Sequence, residues 1–388
     1  MRIVLTCNYS PWSPYCGGGQ RSTHMLASAL ADRGHRVDVV YTRSPLERFE
    51  APEKIGYGIR WAAFASTQST RSAPLRPLNA VFVARVVAGL LEGSEKAVVH
   101  SQGEEGALVP RLARERELRF VVTPRYPSYP RALLDPGAGP IARAGSALAD
   151  PKFVALGMAL RGAGAVCPTS EYSARQVISA FGIDPARFSV VPNGLHDAFF
   201  EVERAKDAHR GPIVFYGRMA RSKGVHQLAR ALVEMGDEAP ASVFIGRGDE
   251  LPAVRRGLDG SAAGSRARFL DWMPPERIAE ILSGASACVL PSLEESFGNT
   301  MAEAMAAGVP LISTRAGSIP EVAGDGRNAV LVEPGDHLGL KDAMGRVLSS
   351  RRLADDLSRV GRRRARERFS WSATAEAFEG IYLESQPR

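Results

Sequence analysis

Short apolar runs recur along the chain, each followed by a polar or glycine-bearing stretch. Arg2–Thr6, Val37–Val40, Ala97–Ser101, Phe120–Thr123, Ala165–Cys167 and Phe188–Val191 read as buried strands in the first half. Pro212–Tyr216, Val243–Ile245, Phe269–Leu270, Ala287–Leu290, Val309–Ser313 and Ala329–Val332 do so in the second. Between them lie segments with apolar positions three and four apart. Gln20–Arg33 buries Met25, Leu26, Ala29 and Leu30 and ends at Gly34. Ser170 caps a helix over SEYSARQVISAFG, Val225–Met235 forms another, and most of 341–388 is helical. Strand, loop, helix and strand in alternation predict an α/β chain of parallel sheets. Two stretches break the pattern. Residues 43–80 are polar and poorly periodic and read as loop-rich. Residues 127–152, rich in Pro, Gly and Ala with Arg131 and Arg143, suit an acceptor loop or a surface-contact segment.

At 388 residues the chain is too long for one ordinary core and suits two domains of about 190 residues each. The turn Pro192-Asn193-Gly194 is the expected junction. The four cysteines (Cys7, Cys16, Cys167, Cys288) are scattered without a C-x-x-C pair, which points to buried thiols, a reducing compartment and no metal site. The N-terminal apolar run is too short for a signal peptide. Ala80–Leu91 is the nearest approach to a membrane span, but it is short and contains Arg85. A cytoplasmic protein is expected. Charge is uneven: residues 1–195 hold 23 Lys+Arg against 15 Asp+Glu, and the remainder 26 against 27. The excess suits an anionic partner, such as the phospholipid surface at the inner face of a membrane or an acidic acceptor; a solvated Arg-rich surface is the other reading. No aromatic–basic interleaving supports nucleic acid.

The segment PSLEESFGNTMAEAMAAGVP, Pro291–Pro310, concentrates candidate chemistry. It follows the Ala287–Leu290 strand, starts a helix near Phe297-Gly298-Asn299-Thr300 and stops at Gly308. Ligands of open parallel sheets sit at the carboxyl ends of strands, and a helix start leaves N–H groups unpaired for an anion. Glu295 precedes the helix and Glu303 lies within it, so a diphosphate with a sugar at each end fits between the two carboxylates. Alone, such a pair reads as solvated surface. Here the helix is otherwise Ala, Met and small residues, and a lone Glu in it needs a partner. Upstream, the strand Pro212–Tyr216 leads into Gly217-Arg218-Met219-Ala220-Arg221-Ser222-Lys223-Gly224, where Arg218 and Lys223 can grip a diphosphate or form a solvated basic turn. Gly246-Arg247-Gly248 and Gly17-Gly18-Gly19 are glycine turns that let backbone approach a phosphate. GGGQRS does not supply the G-x-G-x-x-G of a nicotinamide dehydrogenase.

These residues resemble glycosyltransferase family 4, the retaining, nucleotide-sugar-dependent enzymes of the GT-B fold. Pro291, Ser292, Glu295, Phe297, Gly298, Glu303, Ala304, Met305, Ala306, Gly308 and Pro310 fall on the family's acidic motif, and Gly217, Arg218, Lys223 and Gly224 on its basic element. The resemblance covers nearly the whole chain and is strongest over 212–335. It implies two Rossmann-like parallel-sheet domains facing across a cleft. Residues 1–195 would hold the acceptor and 196–368 the nucleotide-sugar, with 369–388 as a terminal helix crossing back on the anchors Phe369, Trp371, Phe378 and Tyr382. It further implies that Arg218 and Lys223 bind the diphosphate, with no metal and no cofactor. Glu295 would contact the donor sugar and Glu303 the ribose. Gly18, Gly217, Gly246, Phe297, Gly298, Asn299 and Thr300 would line the donor site, and the base would lie near Met273. The expected donor is a UDP- or GDP-sugar, and the expected acceptor a sugar or a lipid-linked acceptor, with lipid-linked, polysaccharide and small-molecule acceptors all open.

The chain departs from the family on the acceptor side. Where many relatives have histidines it has Gln102 and Arg125, so a histidine role cannot be carried over, and His100 reads as structural. Those two substitutions keep open a nucleotide-sugar-binding protein without turnover. An epimerase or phosphorylase of the same architecture is the other alternative. Trp272 could be a core aromatic, and the run Arg362-Arg363-Arg364 reads as a solvated helix face.

Overall fold

The computed structural model describes residues 1–13, 17–43, 55–63, 78–93, 97–125, 129–135, 137 and 139–385. Cys16 and Tyr126, and parts of the loop-rich stretches expected at 10–20, 43–80 and 127–152, lie outside those residues. The chain forms two compact units, Met1–Gly194 with Trp371–Arg388, and Leu195–Ser370.

The first unit is a six-stranded parallel sheet in the order β3-β2-β1-β4-β5-β6. Its strands are β1 (Arg2–Cys7), β2 (Arg36–Arg43), β3 (Gly58–Ala63), β4 (Val98–Ser101), β5 (Arg119–Val122) and β6 (Ala165–Val166). The helices are α1 (Gly18–Asp32), α2 (Asn79–Leu90), α3 (Val109–Glu115), α4 (Arg131–Leu134), α5 (Pro140–Ala149), α6 (Pro151–Gly162) and α7 (Glu171–Phe181). Apart from the edge strand β3, the strands are largely buried on both faces, so their apolar runs are continuous while their residues alternate sides. Val4, Val99, Phe120 and Val122 pack against Val83 and Val87 of α2, Val109 of α3 and Leu156 and Leu160 of α6. Ile3, Leu5, Val98 and Val121 pack on the other face against Leu26 and Leu30 of α1 and against Phe378 and Tyr382 near the chain's end.

The second unit repeats the plan in the order β12-β11-β10-β7-β8-β9. Its strands are β7 (Ile213–Tyr216), β8 (Ser242–Ile245), β9 (Ala267–Leu270), β10 (Ala287–Leu290), β11 (Leu311–Thr314) and β12 (Val330–Val332). Its helices are α8 (Val225–Glu234), α9 (Leu251–Leu258), α10 (Ala262–Ser265), α11 (Pro275–Ser283), α12 (Asn299–Ala306), α13 (Ile319–Val322), α14 (His337–Ser349) and α15 (Arg351–Arg368). The last helix, α16 (Trp371–Glu384), belongs to the first unit. In each sheet the chain winds outward from a central strand and then returns to its other side, so the order reverses between β1 and β4 and between β7 and β10.

Several expectations are corrected. The glycine run is not all loop: α1 begins at Gly18, with Gly17 as N-cap donating its N–H to Gln20 Oε1 at 2.9 Å. The loop-rich stretch contains β3, paired with β2 from Asp38↔Gly58 to Arg43↔Ala63. It was hidden because its short apolar run is broken by Arg60 and only Ala62 is buried, as befits an edge strand. Residues 140–162 form α5 and α6, each entered through a proline at the first helical position, where no N–H is missed. Phe188–Val191 makes only the single bridge Val166↔Phe188. Its neighbour β6 stops at Val166, and Pro168 has no N–H to extend a ladder.

The basic run near the end is not a solvated face. Arg362 Nη2 donates to the Phe200 and Val202 carbonyls at 3.0 and 2.7 Å, and Arg364 to those of Val322 and Glu321 at 2.8 and 2.7 Å. Phe369 packs edge-on against Phe297 in the second unit, whereas Trp371, Phe378 and Tyr382 are core residues of the first. Trp272 is exposed rather than core. Cys7, Cys167 and Cys288 are buried. Among the described residues no helix is long and apolar enough to cross a membrane, and no group of three His, Cys, Asp or Glu side chains could hold a metal.

On α16, Glu379 takes the Arg33 guanidinium at 2.7 and 2.6 Å and the His35 ring at 2.6 Å. The Arg33 hydrogen bond leads in pulling its carboxyl down to about 2, and burial opposes it. A depressed carboxylate stabilises the fold above its unfolded value and loses that contribution as pH falls through the folded one. Glu379→Gln is therefore expected to cost about 1 kcal/mol at neutral pH. In urea unfolding, its gap from wild type closes between pH 4.5 and 2. A gap independent of pH would refute this account.

Candidate functional site

The carboxyl ends of β7 and β10, where the strand order reverses, are where an open parallel sheet leaves a crevice. The sequence delivers cations to one lip and carboxylates to the other. After β7 the chain turns through Gly217 and Arg218 to Lys223 and Gly224, then enters α8. After β10 it runs through Pro291–Gly298 into α12, whose N-cap is Gly298 at φ 90°.

The two loops are stitched together by their backbones. Leu293 N–H donates to Ser222 C=O at 2.8 Å. Gly224, at φ 67°, comes so close to Pro291 that a Cβ there would lie 1.8 Å from the carbonyl oxygen, which no side chain tolerates. This contact sets Lys223 Nζ at 2.5 Å from Glu295 Oε2, with Lys223 a quarter exposed and Glu295 a tenth. The Glu295 carbonyl is held in turn by Ser318 N–H at 3.1 Å and Ser318 Oγ at 3.3 Å. Arg218 is exposed, and no described side chain pairs with its guanidinium.

Gly217 and Gly246 end β7 and β8 at φ 137° and 138° and lie back to back; a Cβ on Gly246 would sit 2.0 Å from Gly217 O. Gly217 also faces Thr300, whose Cγ2 lies 3.9 Å from the place a Cβ would take. Asn299 and Thr300 form the first turn of α12 and are half-buried. Phe297 is buried against Phe369, so its side chain belongs to the core and only its backbone is available to a ligand. Met273 is half-buried and packs on the core beyond β9. Beside it, Arg247 pairs with Asp271 through both carboxylate oxygens. Met301, Ala302, Ala304, Met305 and Ala306 bury the rest of α12, leaving Glu303 half-exposed as its one ionisable residue.

Sequence reasoning missed Tyr216. The last residue of β7, it donates its hydroxyl to the Thr300 carbonyl at 2.5 Å. Burial first, and then the Glu303 charge, push its ionisation well above the usual phenol range. Tyr216 thus ties the β7 end to the first turn of α12 beside Glu303. The signal was a tyrosine closing an otherwise apolar strand; a buried hydroxyl there needs an acceptor.

In the first unit the polar residues form a separate network. Gly18 is exposed in the first turn of α1, and Gly19 beside it approaches Arg125. Arg125 donates from Nε to Gln102 Oε1 at 2.5 Å and from Nη1 to Asn193 Oδ1 at 2.7 Å. Gln102 is buried and also touches His100 Nε2 at 3.3 Å. His100 lies between Tyr382 Oη at 2.7 Å and Thr123 Oγ1 at 2.8 Å, and burial lowers it to about 3, so it is a neutral structural residue. Glu104 and Glu105 are buried beneath. Glu105 accepts from Gln102 N–H at 2.8 Å and Thr6 Oγ1 at 3.1 Å, and burial pushes its carboxyl up to about 8.

Two family models match. "Glycosyl transferase 4-like domain" covers residues 17–194, and "Glycosyl transferases group 1" covers 210–350. Among curated relatives, an MMP alpha-(1->4)-mannosyltransferase of Mycolicibacterium hassiacum is 30% identical over 55% of this chain and 52% of its own length. A D-inositol 3-phosphate glycosyltransferase of Corynebacterium jeikeium is 34% identical over 45% and 44%. The chain thus spans about half the length of the curated relatives it matches. Among solved structures, a sucrose-phosphate synthase of Thermosynechococcus elongatus superposes with TM-score 0.79 at 21% identity, covering 99% of this chain and 98% of that one. HepE of Anabaena, in complex with UDP and glucose, does so with TM-score 0.73 at 18% identity over 99% and 100%. With both halves matched by the family and both sheets wound alike, the chain belongs to glycosyltransferase family 4 and has the GT-B architecture of two Rossmann-like domains.

Proposed function

We propose that this chain is a retaining glycosyltransferase that moves a hexose from a UDP- or GDP-sugar to a sugar or lipid-linked acceptor. The second unit takes the donor and the first the acceptor. The observation carrying this reading is the grouping of Arg218, the Lys223–Glu295 pair and the first turn of α12 at one strand crossing. Lys223 has three N–H donors and gives one to Glu295, so others can reach a phosphate. Arg218 adds a planar fork, and the α12 N–H groups add partial positive charge. Together they balance the charge that develops as the nucleoside diphosphate leaves. Glu295, acceptor-only when ionised, takes donor sugar hydroxyls, and Glu303 takes the ribose.

The C1–O bond to phosphate breaks while the acceptor oxygen approaches C1 from the same face. The acceptor proton passes to the leaving phosphate oxygen, so no enzymic nucleophile is needed. The HepE complex with UDP and glucose supports a uridine donor, and the names of the curated relatives support a sugar or sugar-phosphate acceptor. Gln102 and Arg125, tied to each other and to Asn193, would form the floor of the acceptor side.

A thermal-shift panel of UDP-, GDP- and ADP-sugars tests this reading. At a hundredfold excess over Kd the true donor adds about 2.7 kcal/mol. That is a rise of roughly 3 °C for a chain of this size. Glu303→Ala and Lys223→Ala should abolish most of it. Lys223→Ala also lowers the unliganded melting point, because it strands a mostly buried carboxylate, so the ligand-induced increment is the quantity to compare. No increment with any nucleotide sinks the transferase reading; binding without transfer to any acceptor, or isomerisation or phosphorolysis of the donor, would move it to one of the alternatives.

Tyr216→Phe should weaken the nucleoside diphosphate roughly 3- to 10-fold, the size of one buried hydrogen bond, by loosening the first turn of α12. Unchanged affinity in calorimetry would show that Tyr216 has no part in the site.

A further inference from the structure

Of the twelve large apolar side chains exposed among the described residues, six lie on three helices of the first unit and a seventh, Leu78, is the N-cap of one. Each set has helical spacing. On α2 the stripe is Leu78, Val81, Phe82 and then Arg85; on α6 it is Val154, Met158 and then Arg161. On α5 Ile141 and Leu148 lie two turns apart, 90% and 70% exposed, and no side chain described on this helix is buried. An apolar helix normally buries its stripe in the core. Here the opposite face is the one held. Arg143, the helix's only charge, turns inward and donates to the Asp135, Ser179 and Ala180 carbonyls at 3.0, 2.8 and 3.2 Å, the last two in the final turn of α7.

The helices share a neighbourhood. α2, α3 and α6 cover one face of the sheet, Ala80 of α2 and Ala155 of α6 meet through Ala107, and α5 packs on α6. Their charges are of one sign: α2, α5 and α6 contain no Asp or Glu. Arg85, Arg131, Arg161 and Arg175 are exposed around them. Of the bordering acids, Glu92 and Glu171 are exposed and three others are engaged locally. Asp135 accepts from Gly137 N–H at 2.8 Å, Asp150 pairs with Lys152 at 2.5 Å, and Glu115 pairs with Arg111 at 3.0 Å.

We propose that this surface, centred on Ile141 and Leu148 of α5 with the α2 and α6 stripes beside it, docks on an anionic phospholipid bilayer. Apolar side chains on helices that contain no acid, with exposed arginines around them, match a lipid interface, where tails take the first and headgroup phosphates the second. A second copy of the chain would gain from the apolar part but be opposed by its own like charge. The location gives the contact a use. Asn79, at the start of α2, donates to Asn8 Oδ1 at 3.3 Å, and α6 packs on Glu104–Gly106, so the surface borders the strand ends that carry Gln102 and Arg125. A lipid-linked acceptor in the same bilayer would lie at that edge. That consequence rests on the transferase reading; the binding itself does not.

Vesicle sedimentation of the full chain tests it. Wild type should bind vesicles of equal parts phosphatidylglycerol and phosphatidylcholine, and lose binding with added salt or on pure phosphatidylcholine. The Ile141→Ser/Leu148→Ser double variant changes exposed side chains only. It should reduce the partition at least tenfold while keeping any melting-temperature rise with a nucleotide-sugar. Arg131→Gln/Arg161→Gln should weaken binding on anionic vesicles alone. No binding by wild type, or equal binding by the serine variant, overturns the proposal. So does a concentration-dependent dimer in light scattering that the serine variant abolishes, because the occupant is then a second copy. A transferase that fails these tests leaves the catalytic reading intact, and vesicle binding without nucleotide binding leaves the surface intact.

Discussion

Everything proposed for the second unit depends on the close approach of two backbones at Gly224 and Pro291. A parallel sheet separates the loops after β7 and β10 by the crossover that winds the chain back past its first strand. The two loops approach most closely where one gives up its side chain, at Gly224, with no room for even a methyl group against the Pro291 carbonyl. The contact puts the Lys223 ammonium on the Glu295 carboxylate across seventy-two residues of sequence. It also fixes the start of α12 relative to Arg218, which stays exposed and unpaired.

The pair matters because neither member is well placed alone. A carboxylate a tenth exposed is costly without a counter-charge, and a lysine beside it gains a fixed direction without giving up its remaining donors. Tyr216 plays the corresponding part for the helix. Its hydroxyl holds the Thr300 carbonyl, so the first turn of α12 is tied to β7 from within the core rather than through a surface loop. Each such tie is one group fewer to order on binding, which lowers its cost.

The second unit was largely legible in the sequence because its strands are short, mostly apolar runs, and its chemical residues sit at their ends in fixed spacing. The crossing of the two loops was not. Nothing in the order of residues says that Lys223 reaches Glu295 rather than solvent, or that Phe297 turns into the core while its neighbours stay at the surface. The first unit was harder to read. β3 carries Arg60 within a half-polar edge strand, and α5 and α6 looked like loop because Pro, Gly and Ala dominate 136–151. Proline at the first helical position is a start signal, not a stop, and both helices use it. The Arg362–Arg364 run misled for a different reason: composition gives charge but not the carbonyls that arginines reach.

The two units therefore solve the same fold in opposite ways. In the second, the polar groups at the strand crossing are left partly open, and Arg218 still has its full donor set to offer. In the first, the corresponding crossing between β1 and β4 is closed in on itself: Glu104 and Glu105 are buried, and Gln102, Arg125 and Asn193 satisfy one another. A network so complete offers a ligand few free donors, so recognition there must draw on the surface around it. That surface is where the unit leaves apolar side chains uncovered, on helices whose only acids are absent by sequence and whose inner faces are already held. Exposed leucine and isoleucine are unremarkable one at a time. Grouped at helical spacing on helices without acids and among exposed arginines, they are the feature on which the proposed docking rests.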